Sequence, residues 1–210
     1  FAVLVSFRPA GAVSSGTWRQ SGSADYERAT LTRISLRSDG RLSLAPVFRE
    51  LLDSSSPYLW ALAEDSRGNV YAGGGGPGAS RARVYVISPD GKSRVLAEFD
   101  ALEVHALAMD RDDRLYAATS PDAKVYRIGA GGKTELFYDP AAKYVWAMVF
   151  DAKGGLCIAT GDQGLIHRVT PDGKGAVLYR TEEHHARSLA LDGEGNLIVG
   201  TEPDGLVVRV

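Results

Sequence analysis

One motif recurs four times along the chain, and that recurrence restricts the fold more than any other feature. Ala61-Leu-Ala-Glu-Asp65, Ala106-Leu-Ala-Met-Asp110, Ala147-Met-Val-Phe-Asp151 and Ser188-Leu-Ala-Leu-Asp192 align without gaps and at nearly constant intervals. Five residues after each aspartate an apolar residue opens a second run: Val70, Leu115, Leu156 and Leu197. A third run centres on Tyr85, Tyr126, His167 and Val208, which are evenly spaced. Turns such as Ser88-Pro-Asp-Gly91 and Thr170-Pro-Asp-Gly173 follow, and then a fourth run, as in Glu135-Leu-Phe-Tyr138. A fixed period of roughly 40 residues marks a repeat architecture, in which each unit buries its apolar faces against its neighbours.

The runs are short, rich in β-branched and aromatic residues, and separated by Gly, Asp and Pro. That is the pattern of strands and turns, and no segment keeps a helical period over eleven residues. Four short antiparallel strands per ~40 residues form one blade of a β-propeller. The sequence therefore predicts an all-β fold built of four-stranded blades over residues 17–210. Leu31–Leu36 and Arg41–Leu44, joined by Ser38-Asp-Gly40, read as outer strands of an earlier blade. The last blade has only three strands within the chain. An N-terminal strand completing it would close a four-bladed ring. The apolar run Leu206–Val210 favours instead part of a larger propeller of roughly six to eight blades, because such a run makes a poor free edge.

Composition sets limits on partners. The formal net charge is −2 and no long run of like charge occurs, which argues against nucleic acid, whose recognition needs clustered Lys and Arg. No apolar stretch reaches the ~18–20 residues of a membrane span. The single cysteine, Cys157, has no internal disulfide partner and occupies a strand position filled elsewhere by Tyr71, Tyr116 and Ile198, so it reads as core. Residues 1–16 open with the apolar Phe1–Phe7 and carry the small-x-small triplet Ala10-Gly-Ala12. This is the form of a secretory leader's end, which places the protein in the periplasm or outside the cell. The competing reading is an apolar strand.

The pattern Ala-Leu-Ala-x-Asp-x-x-Gly-Asn, as in residues 61–69, resembles the bacterial NHL-like and SMP-30/gluconolactonase-like propellers. It is also similar to the secreted WD40-like propellers, although the Gly-His and Trp-Asp marks of true WD40 repeats are absent. The resemblance covers about residues 17–210 and implies the fold. From the lactonase branch it implies a divalent metal held by Glu, Asn and Asp at the channel mouth, a ligand set with no assigned positions in this chain.

Five residues before each repeat aspartate stand Trp60, His105, Trp146 and Arg187, and two positions further back Tyr58, Glu103, Tyr144 and His185. In equivalent blades these form a ring at the entrance of the innermost strands, on the face carrying the longer loops. Aromatic rings beside His and Arg suit a sugar or a peptide. Tyr58, Trp60, His105, Tyr144, Trp146 and Arg187 are accordingly the candidate ligand-binding set, against a reading in which they are packing and rim. His184, His185 and Glu202 are the candidate metal ligands, although adjacent histidines on a strand point to opposite faces. Gly73-Gly-Gly-Gly-Pro-Gly78 reads as an insertion in a loop. Arg127, Arg168 and Arg209, which recur once per repeat, read as partners of a repeated acid. The function expected from the residues is a non-enzymatic binding or scaffold propeller for a protein, peptide or glycan, with no cofactor. The alternative is a metal-dependent hydrolase or lyase of the SMP-30/gluconolactonase-like or streptogramin-lyase-like kind.

Overall fold

A computed structural model describes residues 22–26, 28–47, 49–54, 56–79 and 81–210. The expected leader, 1–16, lies outside these. The chain divides into two compact units, 1–49 and 50–210, each taken by itself. In the first, β1 (Ile34–Leu36) and β2 (Leu42–Leu44) pair antiparallel. Gly40, at φ 79°, makes the turn between them, a conformation open to glycine at no steric cost.

The second unit contains the repeat. The first blade comprises β3 (Tyr58–Glu64), β4 (Val70–Gly75), β5 (Ala82–Ile87) and β6 (Ser93–Phe99). The second comprises β7 (Glu103–Met109), β8 (Leu115–Ser120), β9 (Val125–Ile128) and β10 (Thr134–Tyr138). The third comprises β11 (Tyr144–Phe150), β12 (Leu156–Gly161), β13 (Leu165–Val169) and β14 (Gly175–Arg180). The last has three strands, β15 (His185–Leu191), β16 (Leu197–Glu202) and β17 (Val207–Arg209). Every blade is an antiparallel meander, and β3, β7, β11 and β15 pack on one another in chain order as the innermost strands. The propeller architecture is as the repeat predicts.

Three apolar layers separate the blades. Val84, Val104, Leu107 and Leu115 meet between the first and second; Tyr116, Val125, Val145 and Leu156 between the second and third; Ile166, Ala186, Leu197 and Val199 between the third and last. Leu156, Ile158 and Ile166 are wholly buried, each contributing about 1.5–3 kcal/mol relative to exposure. Cys157 lies in the third layer, and burial pushes its thiol up to about 11. It is a core residue and not a nucleophile.

The repeat aspartate caps the tight turn after each innermost strand. Asp65 accepts from the backbone N–H groups of Arg67 and Asn69, from Asn69 Nδ2 and from the Tyr71 hydroxyl. The recurring third-strand arginine reaches this aspartate in two blades, Arg168 to Asp151 at 2.6 Å and Arg209 to Asp192 at 3.4 Å. In the second blade Arg114 takes Asp110, and Arg127 pairs with Glu135 instead. On the opposite face a threonine recurs at 119, 160 and 201. Thr160 Oγ1 donates to Leu165 O and accepts from Leu165 N, closing the loop between β12 and β13; Thr201 does the same with Leu206.

Candidate functional site

Each innermost strand carries a register break. Pairing with the second strand slips between Leu59 and Ala61, Val104 and Ala106, Val145 and Ala147, and Ala186 and Ser188. The residues left out of register are Trp60, His105, Trp146 and Arg187. A β-bulge releases one residue from the ladder and re-aims its side chain. The four candidates are thus the bulge residues of four successive blades, a feature the sequence pattern did not reveal.

The bulges bring the side chains together. Trp60 stacks on His105 with ring centroids 4.8 Å apart, and the edge of His105 meets Trp146 at 4.9 Å. The Arg187 guanidinium lies 4.0 Å from the centroid of the Trp146 ring. Residues two positions back flank them: Tyr58 stacks on Trp60 at 5.2 Å, Tyr144 on Trp146 at 4.8 Å, and Glu103 Oε1 lies 2.9 Å from His105 Nε2. All six sequence-singled ligand candidates therefore join one continuous ladder, and Glu103 joins it too. Tyr58 and Trp60 at one end and Arg187 at the other are each about half exposed.

The Glu103–His105 pair is the chemically distinctive element. Burial holds the His105 imidazole below its usual range, although the Glu103 carboxylate pulls the other way and Arg187 adds to the lowering. That lowering favours the neutral ring. Its contact with a carboxylate makes Nε2 the protonated nitrogen, so Nδ1 carries the free lone pair. This is an oriented imidazole base beside aromatic walls and a cation.

His185 has a different task. Its Nδ1 accepts from Trp146 Nε1 at 3.3 Å and from the Asp162 backbone N–H at 3.2 Å. Gly161 makes that contact possible: a Cβ there would collide with Trp146 Nε1 and stand 2.8 Å from His185 Nδ1. Such a glycine at the end of a second strand is visible in the sequence, but its reason is not.

Of the metal candidates, His184 precedes β15 and is exposed, while His185 and Glu202 are register partners across β15 and β16. Glu202 Oε2 is engaged by Arg187 Nε at 2.8 Å. Among the described residues no three His, Cys, Asp or Glu side chains gather as a metal would require. With His185 Nδ1 and Glu202 already committed, these residues do not fit the divalent ion that the resemblance implies. The glycine run is also not a loop insertion throughout. Gly73–Gly75 end strand β4 and are buried, and a Cβ on Gly73 would stand 2.7 Å from Val104 Cγ1 of the next blade. They are strand residues because two backbones approach too closely for a side chain.

Solved structures share this architecture. The chain matches a virginiamycin B lyase from Staphylococcus aureus with a TM-score of 0.61 at 14% identity, over 84% of this chain and 61% of that one. A gluconolactonase from Xanthomonas campestris matches with 0.61 at 15% identity, over 84% and 65%. The fold is that of the gluconolactonase-like and streptogramin-lyase-like propellers. A calcium-binding regucalcin from Agrobacterium tumefaciens matches with 0.54 at 19% identity, over 66% and 51%. The chain spans about three fifths of the length of the first two structures. No family model matches the sequence, and no curated protein does. No helix among the described residues is long and apolar enough to cross a membrane.

Proposed function

We propose that the bulge ladder is a small-molecule site and that the Glu103–His105 pair is its proton-handling centre, acting on a cyclic ester or a comparable carbonyl compound. The 2.9 Å Glu103–His105 contact carries this reading. A neutral imidazole fixed in one tautomer by a carboxylate is a general base, worth typically 10²–10⁴-fold in rate. In hydrolysis His105 Nδ1 takes a proton from water as its oxygen attacks the carbonyl carbon. The proton then passes to the departing alkoxide as the carbon–oxygen bond breaks, leaving acid and alcohol. Arg187, seated on the Trp146 ring and paired with Glu202, is the ladder's cation, and the half-exposed Trp60 and Tyr58 offer an aromatic surface to the apolar part of the substrate. The lactonase and lyase names among the structural neighbours support this enzyme-type reading over a purely passive scaffold.

The test is turnover of a panel of lactones and aryl esters by the whole chain. Activity should fall at least ~100-fold in His105→Asn and show an acidic limb as His105 becomes protonated. Equal turnover by wild type and His105→Asn would sink the proposal. The half-exposed Tyr58 and Trp60 favour a second reading, recognition of a glycan or peptide without chemistry. Binding of such a ligand lost in Trp60→Ala, with no turnover of the panel, would select it.

A further inference from the structure

A second cavity lies on the opposite face, where the tight turns of the first and second blades meet. It spans about 630 Å³ as one continuous cleft, whereas the corresponding residues of the second and third blades line two separate clefts, of about 350 and 230 Å³. The repeat explains the difference. Between the second and third blades Tyr116 is packed edge-on by Phe137 at 4.9 Å and by Phe150 at 5.1 Å. The equivalent positions one blade earlier are Tyr71, Leu96 and Met109. Leu96 and Met109 pack on the apolar layer in place of the two phenyl rings, and Leu96 lines the cavity.

Its rim is rich in donors. The exposed Arg67 and Arg94 line the cavity; Arg94 Nη1 donates to Val95 O at 3.4 Å, and neither forms an ion pair with an acid among the described residues. The two carboxylates on the wall, Asp65 and Asp113, remain charged, with their oxygens turned to local donors. Asp65 is held by its own turn and Tyr71, and Asp113 accepts from Ser66 N at 2.8 Å and from the Ser66 hydroxyl. The floor is apolar, formed by Leu96, Leu115 and Ile128. A pocket of this size with an apolar floor and a few convergent polar groups has the form of a ligand site. Two guanidinium groups at the rim select an oxyanion head, which they bind with charge-assisted hydrogen bonds.

We propose that this inter-blade cavity binds a small molecule with an anionic head and an apolar body, at a site separate from the bulge ladder. Phenyl phosphate is the probe, with inorganic phosphate as the head-only control, read by calorimetry and thermal unfolding of the whole chain. Phenyl phosphate should bind saturably and raise Tm, at least tenfold more tightly than inorganic phosphate. Leu96→Phe, which restores the ring found in the next blade, should abolish binding without lowering the Tm of the free protein. Arg67→Glu and Arg94→Glu should each weaken binding tenfold or more, while Trp60→Ala leaves it unchanged. The proposal is overturned by no saturable shift with either anion, by equal binding in wild type and Leu96→Phe, or by loss in Trp60→Ala alone. Inorganic phosphate binding as tightly as phenyl phosphate would overturn the apolar-body assignment.

Discussion

The second and third blades and the two end blades are written in one repeat, yet they differ in what they bury. Leu62, Leu107 and Met148 hold the same repeat position; Leu62 is 69% exposed, Leu107 8% and Met148 9%. One strand position earlier than the bulge, Leu59 is 45% exposed, whereas Val104, Val145 and Ala186 are wholly buried. The last blade shows the opposite flank: Ser188 and Ala190 are less buried than Ala106 and Ala108 at the same positions. Within residues 50–210 the first and last blades each pack on one other blade, and the residues turned toward it are the covered ones. Position in the array, and not residue type, decides burial here.

The comparison is broken most sharply by truncating equivalent leucines. Leu107→Ala is expected to cost about 2–5 kcal/mol in urea unfolding, and Leu62→Ala less than about 0.5 kcal/mol. Similar losses at both would show that Leu62 is covered in solution. The repeat aspartate gives a smaller contrast. Asp151 serves two backbone N–H groups and Arg168, whose Nε lies 2.6 Å away, while the side chain of Arg209 at Asp192 is 65% exposed. Asp192 also accepts from two backbone N–H groups and from Asn196 Nδ2, so Asp151→Ala should cost about 1–3 kcal/mol and Asp192→Ala less only by the weaker, exposed arginine contact, in the same assay.

Acid should expose a third difference. His167 is buried where the first two blades carry Tyr85 and Tyr126; it is bonded at Nδ1 to the Tyr138 hydroxyl at 2.9 Å and has no partner at Nε2 among the described residues. Burial lowers its pKa, as it does for His105. The folded state therefore binds fewer protons than the unfolded state near pH 6. Stability is fully present above about 6.5, the ordinary histidine value, and declines as pH falls below it toward the folded pKa. His167→Phe should flatten part of that decline, measured as Tm between pH 7 and 5; an unchanged slope would contradict the assignment. The smallest effect belongs to Arg127, whose partner Glu135 has a side chain 66% exposed. Arg127→Ala should change stability by less than about 1 kcal/mol, and Arg168→Ala by more.

Much of the candidate site's arrangement was legible in the sequence. The ring positions Trp60, His105, Trp146 and Arg187 follow from their fixed distance to the repeat aspartate, because equivalent positions in blades must lie side by side. The bulges were not legible, since a bulge changes which residue faces its partner without changing the spacing along the chain. Nor was the commitment of His185 Nδ1 and Glu202, which are spoken for by Trp146, Asp162 and Arg187. The glycine run misled because glycine marks loops and close backbone approaches alike, and only the position of Val104 separates the two.

The sequence by itself determined the strands, the turns, the blade period and the ladder's membership, all of them local or periodic properties. Tertiary structure alone decided which leucines are buried, which histidine nitrogen lacks a partner among the described residues, and where a continuous cleft opens between two blades. Those outcomes depend on atoms a whole repeat away along the chain, brought into contact only when one blade packs on the next.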